Sequence, residues 1–393
     1  MEPKIRFKGF EGEWKAPLFS EMVERISASG QAGMLPGVEF EDIASGEGCF
    51  NKNIYQKECH KYGKLFYEGD ILFGKLRPYL KNIILADFNG VAIGDFWVLR
   101  SKGLDEKYLY TLVNSESFLK VANISSGSKM PRADWNLVST TKFVVPSAKD
   151  EQKAIGKYFT SLDSQISAST SRLTSLKQMK AASLQAMFPQ KGETVPKIRF
   201  KGFEGEWTWL KLGDISEQVK RKAPINSTAP VMMISALNGF INQSEKYSDN
   251  NAGSSLANYT LLKKGELSYN HGYSKTRNFG SCFNLLVEEA RIPFVYHSFR
   301  LTNDNDSFYA YYLNSGTKDK DLKRLVSSTA RMDGLLNISF KNYMELSVPH
   351  PSLAEQQAIA SYFTSLDRQI SLQSQRLEKL KQIKSACLDK MFV

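Results

Sequence analysis

Two stretches of the chain carry apolar residues at alternating steps of four and three, the spacing of a helical seam. The first begins near Asp150 and the second near Glu355, and neither proline nor glycine interrupts 157–188 or 360–393. At 1.5 Å per residue, the 38 residues from Asp150 to Met187 span about 57 Å. The predicted seam consists of Ile155, Phe159, Leu162, Ile166, Ser169, Leu173 and Leu176 in the first stretch, and Ile359, Phe363, Leu366, Ile370, Gln373, Leu377 and Leu380 in the second.

A short helix of this kind usually packs on its own domain, but two stretches of nearly 40 residues favour two long helices packed on each other. The packing is antiparallel if the two halves are related by a pseudo-two-fold axis. The polar residues Ser169 and Gln373 stand at equivalent seam positions and could fix the register.

The regions before these stretches read as mixed α/β. Short apolar runs between polar turns predict strands, and one longer apolar-periodic run in each half predicts a helix. Predicted strands lie at 70–73, 82–86 and 143–145 in the first half and at 231–235, 267–270 and 294–300 in the second, with helices at 106–122 and 307–314. The fold class is therefore α/β, with two mixed α/β domains separated and joined by two long antiparallel helices in a coiled coil.

An internal repeat organises the chain. PKIRFKGFEGEW occurs at 3–14 and again, without a change, at 196–207. EQKAIGKYFTSLDSQIS at 151–167 returns as EQQAIASYFTSLDRQIS at 355–371, with 13 of 17 residues identical. The sequence between these segments differs almost completely between the halves, which indicates one unit in two copies, each with fixed flanks around a variable centre. This pattern suits a protein that recognises two different things in one geometric arrangement.

The repeat and the helical pattern set the domain boundaries. They give a first α/β domain (1–148), a central helix (149–188), a linker (189–195), a second α/β domain (196–351) and a distal helix (352–393).

Composition narrows the function without deciding it. The 52 Lys and Arg residues against 41 Asp and Glu leave a formal charge of +11, which modestly favours a polyanionic partner. No apolar run approaches the length of a membrane span, and the N-terminus lacks the pattern of a signal peptide, so we expect a cytoplasmic protein. The four cysteines and four histidines show no metal-ligand spacing.

Catalytic motifs are missing from the sequence. Gly69 to Lys75 spells G-x4-G-K, but Leu76 stands where a phosphate-binding loop needs Ser or Thr, and Pro78 opposes the following helix. We find no cofactor loop and no nucleophile elbow. The sequence predicts no catalytic residue, no metal site and no cofactor bound by this chain.

Basic residues interleaved with aromatics and amides are the remaining signal, and in both halves they follow a Gly-acid pair, Gly69-Asp70 or Gly265-Glu266. Such residues clamp phosphates or read base edges, although any one of these loops taken alone is more often a solvated surface. The candidate DNA-binding residues are Lys75, Arg77, Tyr79, Lys81, Asn82, Lys129 and Arg132 in the first half, and Asn270, His271, Tyr273, Lys275, Arg277, Asn278 and Arg331 in the second.

Taken together, these segments resemble the specificity subunit of type I restriction–modification enzymes, of the staphylococcal kind. The resemblance rests on PKIRFKGFEGEW opening each half, GDILFGKLRPYL in the first variable region, and the two closing segments that end in the repeated helices. One departure is the closing loop, where Met130-Pro131-Arg132 faces Met332-Asp333-Gly334, so that Arg331 would have to replace Arg132 in the second half.

The resemblance implies a non-catalytic reader of double-stranded DNA. Each variable region would be a target recognition domain for one half of a bipartite, asymmetric site, and the helices would set the spacing. Two modification subunits, methyltransferases that use S-adenosylmethionine, and restriction subunits that use ATP and magnesium for translocation and cleavage would be the partners. Two alternatives stay open: a self-contained DNA methyltransferase or nuclease, which the missing motifs oppose, and a coiled-coil protein scaffold, which the two dissimilar basic loops oppose.

Overall fold

A computed structural model describes most of the chain. The described residues are 3–33, 35–57, 59–124, 130–224, 226–245, 256, 258–326 and 336–392. They fall into two units: unit 1 comprises 1–174 and 372–393, and unit 2 comprises 175–371. Each unit thus combines one α/β region with the beginning of one long helix and the end of the other.

The α/β region of unit 1 consists of short strands and helices. Its strands are β1 (Trp14–Lys15), β2 (Val23–Ile26), β3 (Ser29–Gln31), β4 (Gly37–Val38), β5 (Ile43–Ala44), β6 (Cys49–Phe50), β7 (Tyr62–Phe66), β8 (Ile71–Gly74), β9 (Ile83–Leu85), β10 (Gly90–Ala92), β11 (Phe96–Ser101) and β12 (Val145–Pro146). Its helices are α1 (Phe19–Met22), α2 (Glu106–Val113), α3 (Glu116–Ala122) and α4 (Trp135–Thr140), followed by the long α5 (Lys149–Ala186).

Unit 2 repeats this plan with a different sequence. Its strands are β13 (Thr208–Lys211), β14 (Ser216–Gln218), β15 (Met232–Ser235), β16 (Gly239–Asn242), β17 (Thr260–Lys263), β18 (Leu267–Asn270), β19 (Ser281–Asn284), β20 (Glu289–Ile292), β21 (His297–Leu301) and β22 (Ser347–His350). Its helices are α6 (Asp306–Leu313), α7 (Asp319–Leu325), α8 (Phe340–Met344) and the long α9 (Leu353–Met391).

The same four-stranded antiparallel sheet lies in both units. Its strand order is β2-β11-β8-β9 in unit 1 and β14-β21-β18-β19 in unit 2. The central pairs share one register, with Trp97 opposite Phe73 and His297 opposite Tyr269. The unrelated variable centres therefore use one scaffold, and their residues can be compared place by place.

The predicted helices are confirmed, with one difference. The 38-residue α5 and 39-residue α9 match the two long periodic stretches. The predicted helix at 106–122 is two helices, because Ser115 caps α3 and accepts a hydrogen bond from the amide of Phe118 at 3.3 Å. The preceding α2 ends at Asn114.

Within each unit the two long helices run antiparallel. In unit 1, Lys384 Nζ lies 2.5 Å from Asp163 Oδ1, and Gln373 Nε2 donates to the carbonyl oxygen of Ser169 at 3.2 Å. In unit 2, Lys180 Nζ lies 2.5 Å from Asp367 Oδ1. Residue numbers fall along α9 as they rise along α5, which is the antiparallel arrangement, and the two polar seam positions meet as expected.

The ends of the long helices complete the cores. In unit 1, the ring of Phe392 lies 6.1 Å from that of Phe159 and 5.7 Å from that of Tyr108. In unit 2, Phe188 holds the equivalent place, 5.9 Å from Phe363. The seam residues nearest each helix start are almost fully buried, whereas Leu173, Ile370, Gln373, Leu377 and Leu380 are partly buried. Much of each seam is therefore core of its own unit.

The repeated twelve-residue motif has a structural role. In unit 1, Arg6 donates from Nε and Nη2 to the carboxylate of Glu151 at 2.6 and 2.8 Å, and Nη1 donates to the carbonyl of Gly12 at 2.9 Å. In unit 2, Arg199 donates to Glu355 at 2.7 Å from both nitrogens. In each unit this ion pair joins the twelve-residue motif to the start of a long helix, so the two repeated segments of the sequence contact each other. We call the pairs Arg6–Glu151 and Arg199–Glu355 the latch.

None of the helices in the described ranges has a stretch apolar enough to cross a membrane.

Candidate nucleic-acid interface

The candidate residues lie mainly in two equivalent hairpin loops. Hairpin loop 1 (75–82) connects β8 to β9, and hairpin loop 2 (271–280) connects β18 to β19. Both leave the same end of the shared sheet. The Gly-acid pairs before them are structural: buried Asp70 accepts two 2.7 Å hydrogen bonds from Arg100, and Glu266 accepts hydrogen bonds from Arg221.

Hairpin loop 1 is held in a defined conformation. Arg77 and Lys81, at its two ends, have φ of 49° and 52°, in a left-handed region that non-glycine residues seldom adopt. A 3₁₀ turn lies between them, and the amide of Arg77 donates to the carbonyl of Pro131 at 2.8 Å. Strained backbone that is fixed by its surroundings is typical of functional sites, because it presents side chains in one arrangement.

The exposed side chains of hairpin loop 1 suit a polyanion. Arg77 and Tyr79 are exposed, and the guanidinium of Arg77 makes no polar contact with any described residue. Lys75 Nζ lies 3.3 Å from Asp95 Oδ1, and Arg132 donates to Asp95 Oδ2 at 3.0 and 3.1 Å. Lys75 and Arg132 therefore converge on one carboxylate beside Arg77.

Two further candidates in this loop have structural partners. Asn82 is buried, and its Oδ1 accepts a 2.7 Å hydrogen bond from the hydroxyl of Ser45, so the free loop does not present it to DNA. Lys81 Nζ lies 3.6 Å from a carboxylate oxygen of Glu116.

Hairpin loop 2 has the same anchor and different chemistry. The amide of Leu336 donates to the carbonyl of His271 at 2.8 Å, as the amide of Ala133 donates to the carbonyl of Lys75 at 2.9 Å in unit 1. His271 thus takes the place of Lys75, but it is buried, and its ring nitrogens lie 2.6 and 3.0 Å from the carbonyl oxygens of Leu336 and Val295. The exposed residues of this loop are Tyr273, Lys275, Thr276 and Asn278.

Arg277 and Asn270 face the protein. Arg277 donates from Nη1 to the carbonyl of Asn314 at the end of α6, and burial lowers the pKa of its guanidinium. Asn270 donates to the carbonyl of Ile234 at 3.2 Å and accepts from the amide of Gly272 at 3.0 Å. Their contacts hold the loop. Among the described residues of the loop, Lys275, Asn278 and the hydroxyl of Tyr273 remain as free polar groups.

Lys129 and Arg331 lie outside the described residues.

The sequence reasoning overlooked Asp95, which joins hairpin loop 1 to the closing segment that carries Arg132. The available signal was weak: a Gly-Asp pair at 94–95 immediately before the apolar residues 96–99.

Comparison with known proteins agrees with this geometry. Residues 204–382 match the family described as "Type I restriction modification DNA specificity domain". The resemblance to type I specificity subunits is confirmed. The type I restriction enzyme EcoDI specificity subunit of Escherichia coli is 24% identical over 120 residues, which are 29% of this chain and 27% of that relative.

The fold extends the similarity to the whole chain. A crystal structure of the type I restriction–modification system S subunit from M. genitalium matches with a TM-score of 0.63 and 15% identity, over 100% of this chain and 99% of that one. At this identity the match establishes the fold: mixed α/β regions with two long helices. Together, the comparisons relate the second half of the chain to a DNA specificity domain and the whole chain to the fold of an S subunit.

Proposed function

We propose that this chain is the DNA sequence-recognition subunit of a type I restriction–modification complex. Each α/β region acts as a target recognition domain for one half of a bipartite, asymmetric site. The long helices hold the two readers at a set spacing, and bound partner subunits methylate adenines or cut the DNA according to what this chain reads.

One observation carries the proposal. The two units share strand order, sheet register and the latch, yet their hairpin loops expose unlike side chains: Arg77 and Tyr79 in unit 1, and Tyr273, Lys275 and Asn278 in unit 2. A shared scaffold with different exposed loops is what two independent half-site readers require, because phosphate contacts fix orientation and base contacts specify sequence.

The chemistry is assigned to the partners. In this proposal the chain has no catalytic role, and methyl transfer belongs to modification subunits that bind S-adenosylmethionine. Translocation and cleavage belong to restriction subunits that use ATP and magnesium. The support is the similarity to a specificity family and the absence of cofactor motifs from the sequence.

Methylome sequencing tests the proposal. Cells that express this chain with its modification partner should carry methylated adenine in one bipartite motif, and cells that express the partner alone should lack it. Methyl transfer by the purified chain with S-adenosylmethionine would instead support the enzyme alternative. Loss of salt-sensitive DNA binding by the assembled complex would support the scaffold.

A further inference from the structure

Asp95 holds an unusual position in the candidate interface. It lies in the turn between β10 and β11, and the amide of Lys75 donates to its backbone carbonyl at 2.9 Å. Its two carboxylate oxygens are shared between two cations from different segments, Lys75 in hairpin loop 1 and Arg132 in the closing segment. The three side chains are 29–51% exposed, so the cluster is open to solvent and to a ligand.

The charge balance of this cluster leaves one positive charge from two cations. A DNA phosphate that approached Lys75 or Arg132 would also approach the Asp95 carboxylate and be repelled by it. Ion pairs at this degree of exposure contribute little to stability, so the folded domain does not require the carboxylate for that purpose. The Asp95 carboxylate therefore lies where it would compete with DNA phosphates for Lys75 and Arg132.

The described part of unit 2 has no acid at the matching place. The shared register places Val295 where unit 1 has Asp95, and the contact there runs from the ring of His271 to the backbone carbonyl of Val295. Its neighbour Phe294 is exposed and uncharged. The acid is thus a feature of the first reader and no requirement of the shared scaffold.

We propose that Asp95 is a specificity-determining residue that lowers sequence-independent binding by competing with DNA phosphates for Lys75 and Arg132. This inference rests on the proposed function. Sequence-independent affinity grows with the number of neutralised phosphates, whereas discrimination comes from base contacts. A repulsive group that weakens sequence-independent binding and leaves the base contacts unchanged increases the ratio of the affinity for the target sequence to the affinity for other sequences.

The test compares Asp95→Asn with Asp87→Asn in the full chain, alone and in complex with its modification partner. Both variants raise the net charge by one, but Asp87 is exposed and forms no ion pair with any described residue. Binding to a random-sequence 30-base-pair duplex is measured by fluorescence anisotropy across a salt series. A melting curve for each variant reports whether the fold is kept.

Asp95→Asn should bind the random duplex about fivefold more tightly at moderate salt, because one charge at about 4 Å in water corresponds to roughly that factor. Its salt slope should steepen by about one to two, as two cations become available to phosphates. Asp87→Asn should change both quantities much less. Adding Lys75→Ala to Asp95→Asn should reverse part of the steepening.

Three results would overturn the inference. Equal behaviour of the two variants would make Asp95 an ordinary surface acid. Weaker binding of Asp95→Asn to the methylated motif alone, with random DNA unchanged, would make it a direct base contact. A lowered melting temperature with an unchanged salt slope would make it structural. If the wild-type protein and its complex showed no salt-dependent DNA binding, the proposed function itself would fail.

Discussion

Breaking the latch in one unit at a time tests what the repeated motif does. In both units the carboxylate is almost fully buried, with Glu151 and Glu355 each 1% exposed in the side chain. Replacing Arg6 or Arg199 with Met leaves that carboxylate buried without its bidentate partner. Removing one member of a buried ion pair costs about 3–5 kcal/mol, most of it from the uncompensated charge.

The two units should differ in a definite direction. Glu355 also accepts a hydrogen bond from Trp207 Nε1 at 3.1 Å, whereas the equivalent Trp14 Nε1 is buried and has no hydrogen-bond partner among the residues that the structure describes. After loss of its arginine, Glu355 keeps one donor, so Arg199→Met should cost less than Arg6→Met by about 1 kcal/mol, the net value of a typical hydrogen bond.

Native-state hydrogen exchange read by mass spectrometry is the suitable assay, because it reports opening free energies segment by segment in a chain with two units. The loss should concentrate in the mutated unit. A double variant, Arg6→Met with Glu151→Leu, should recover much of it, since apolar replacement of both partners is often neutral. The exposed pair Arg300–Glu217 serves as the control, and Arg300→Met should have a much smaller effect. Losses below about 1 kcal/mol in both units, or no recovery in the double variant, would refute the structural role of the repeat.

Three further predictions address the readers and the helices. If Arg77 makes a bidentate contact to guanine, Arg77→Ala should cost about 1–3 kcal/mol of binding free energy and relax the sequence preference at one position of the first half-site. Lys275→Ala should instead weaken binding to DNA of any sequence and reduce the salt slope by about one, as measured by fluorescence titration. Inserting four residues near Ser169 and four near Gln373 lengthens each long helix by about 6 Å. Methylation mapping should then show a DNA site whose spacer is longer by one or two base pairs. An unchanged spacer would mean that the helices only cap their domains. Burial lowers the pKa of His297 below its ordinary 6.5, so the unfolded chain binds a proton more readily than the folded chain. Unit 2 should therefore lose stability as the pH falls below about 6.5. Hydrogen exchange should show that His297→Gln flattens this pH dependence.

The long helices and the shared plan could be predicted because they follow from periodicity and repetition. Ile155 and Phe159 recur at helical spacing, and a residue-for-residue repeat predicts a repeated fold. The apolar periodicity could not distinguish residues that pack between the two long helices from residues that pack in the core of one unit. Phe159 belongs to the same core cluster as Tyr108 of its own α/β region, and its ring also packs against Phe392, next to the end of α9. Both environments select the same apolar residue types.

The reading residues were harder to predict, because composition does not say where a side chain points. Arg77 and Arg277 both lie in basic hairpin loops, yet the side chain of Arg77 is exposed and that of Arg277 donates to the carbonyl at the end of a helix. Buried Asn82 bonds to Ser45, 37 residues away in the sequence, and Asp95 lies 20 residues beyond Lys75 and 37 before Arg132. Such contacts arise from the sheet pairing, which brings distant turns to one end of the scaffold.

The measurement that tests the account most directly is an exchange of one reader followed by methylome sequencing. Residues 17–140 are replaced by the first variable region of a type I specificity subunit, which leaves Arg6, Glu151 and both long helices in place. The account predicts that one half of the methylated motif changes, while the other half and the spacer stay as they were. A change in both halves would contradict the claim that the two units read DNA independently.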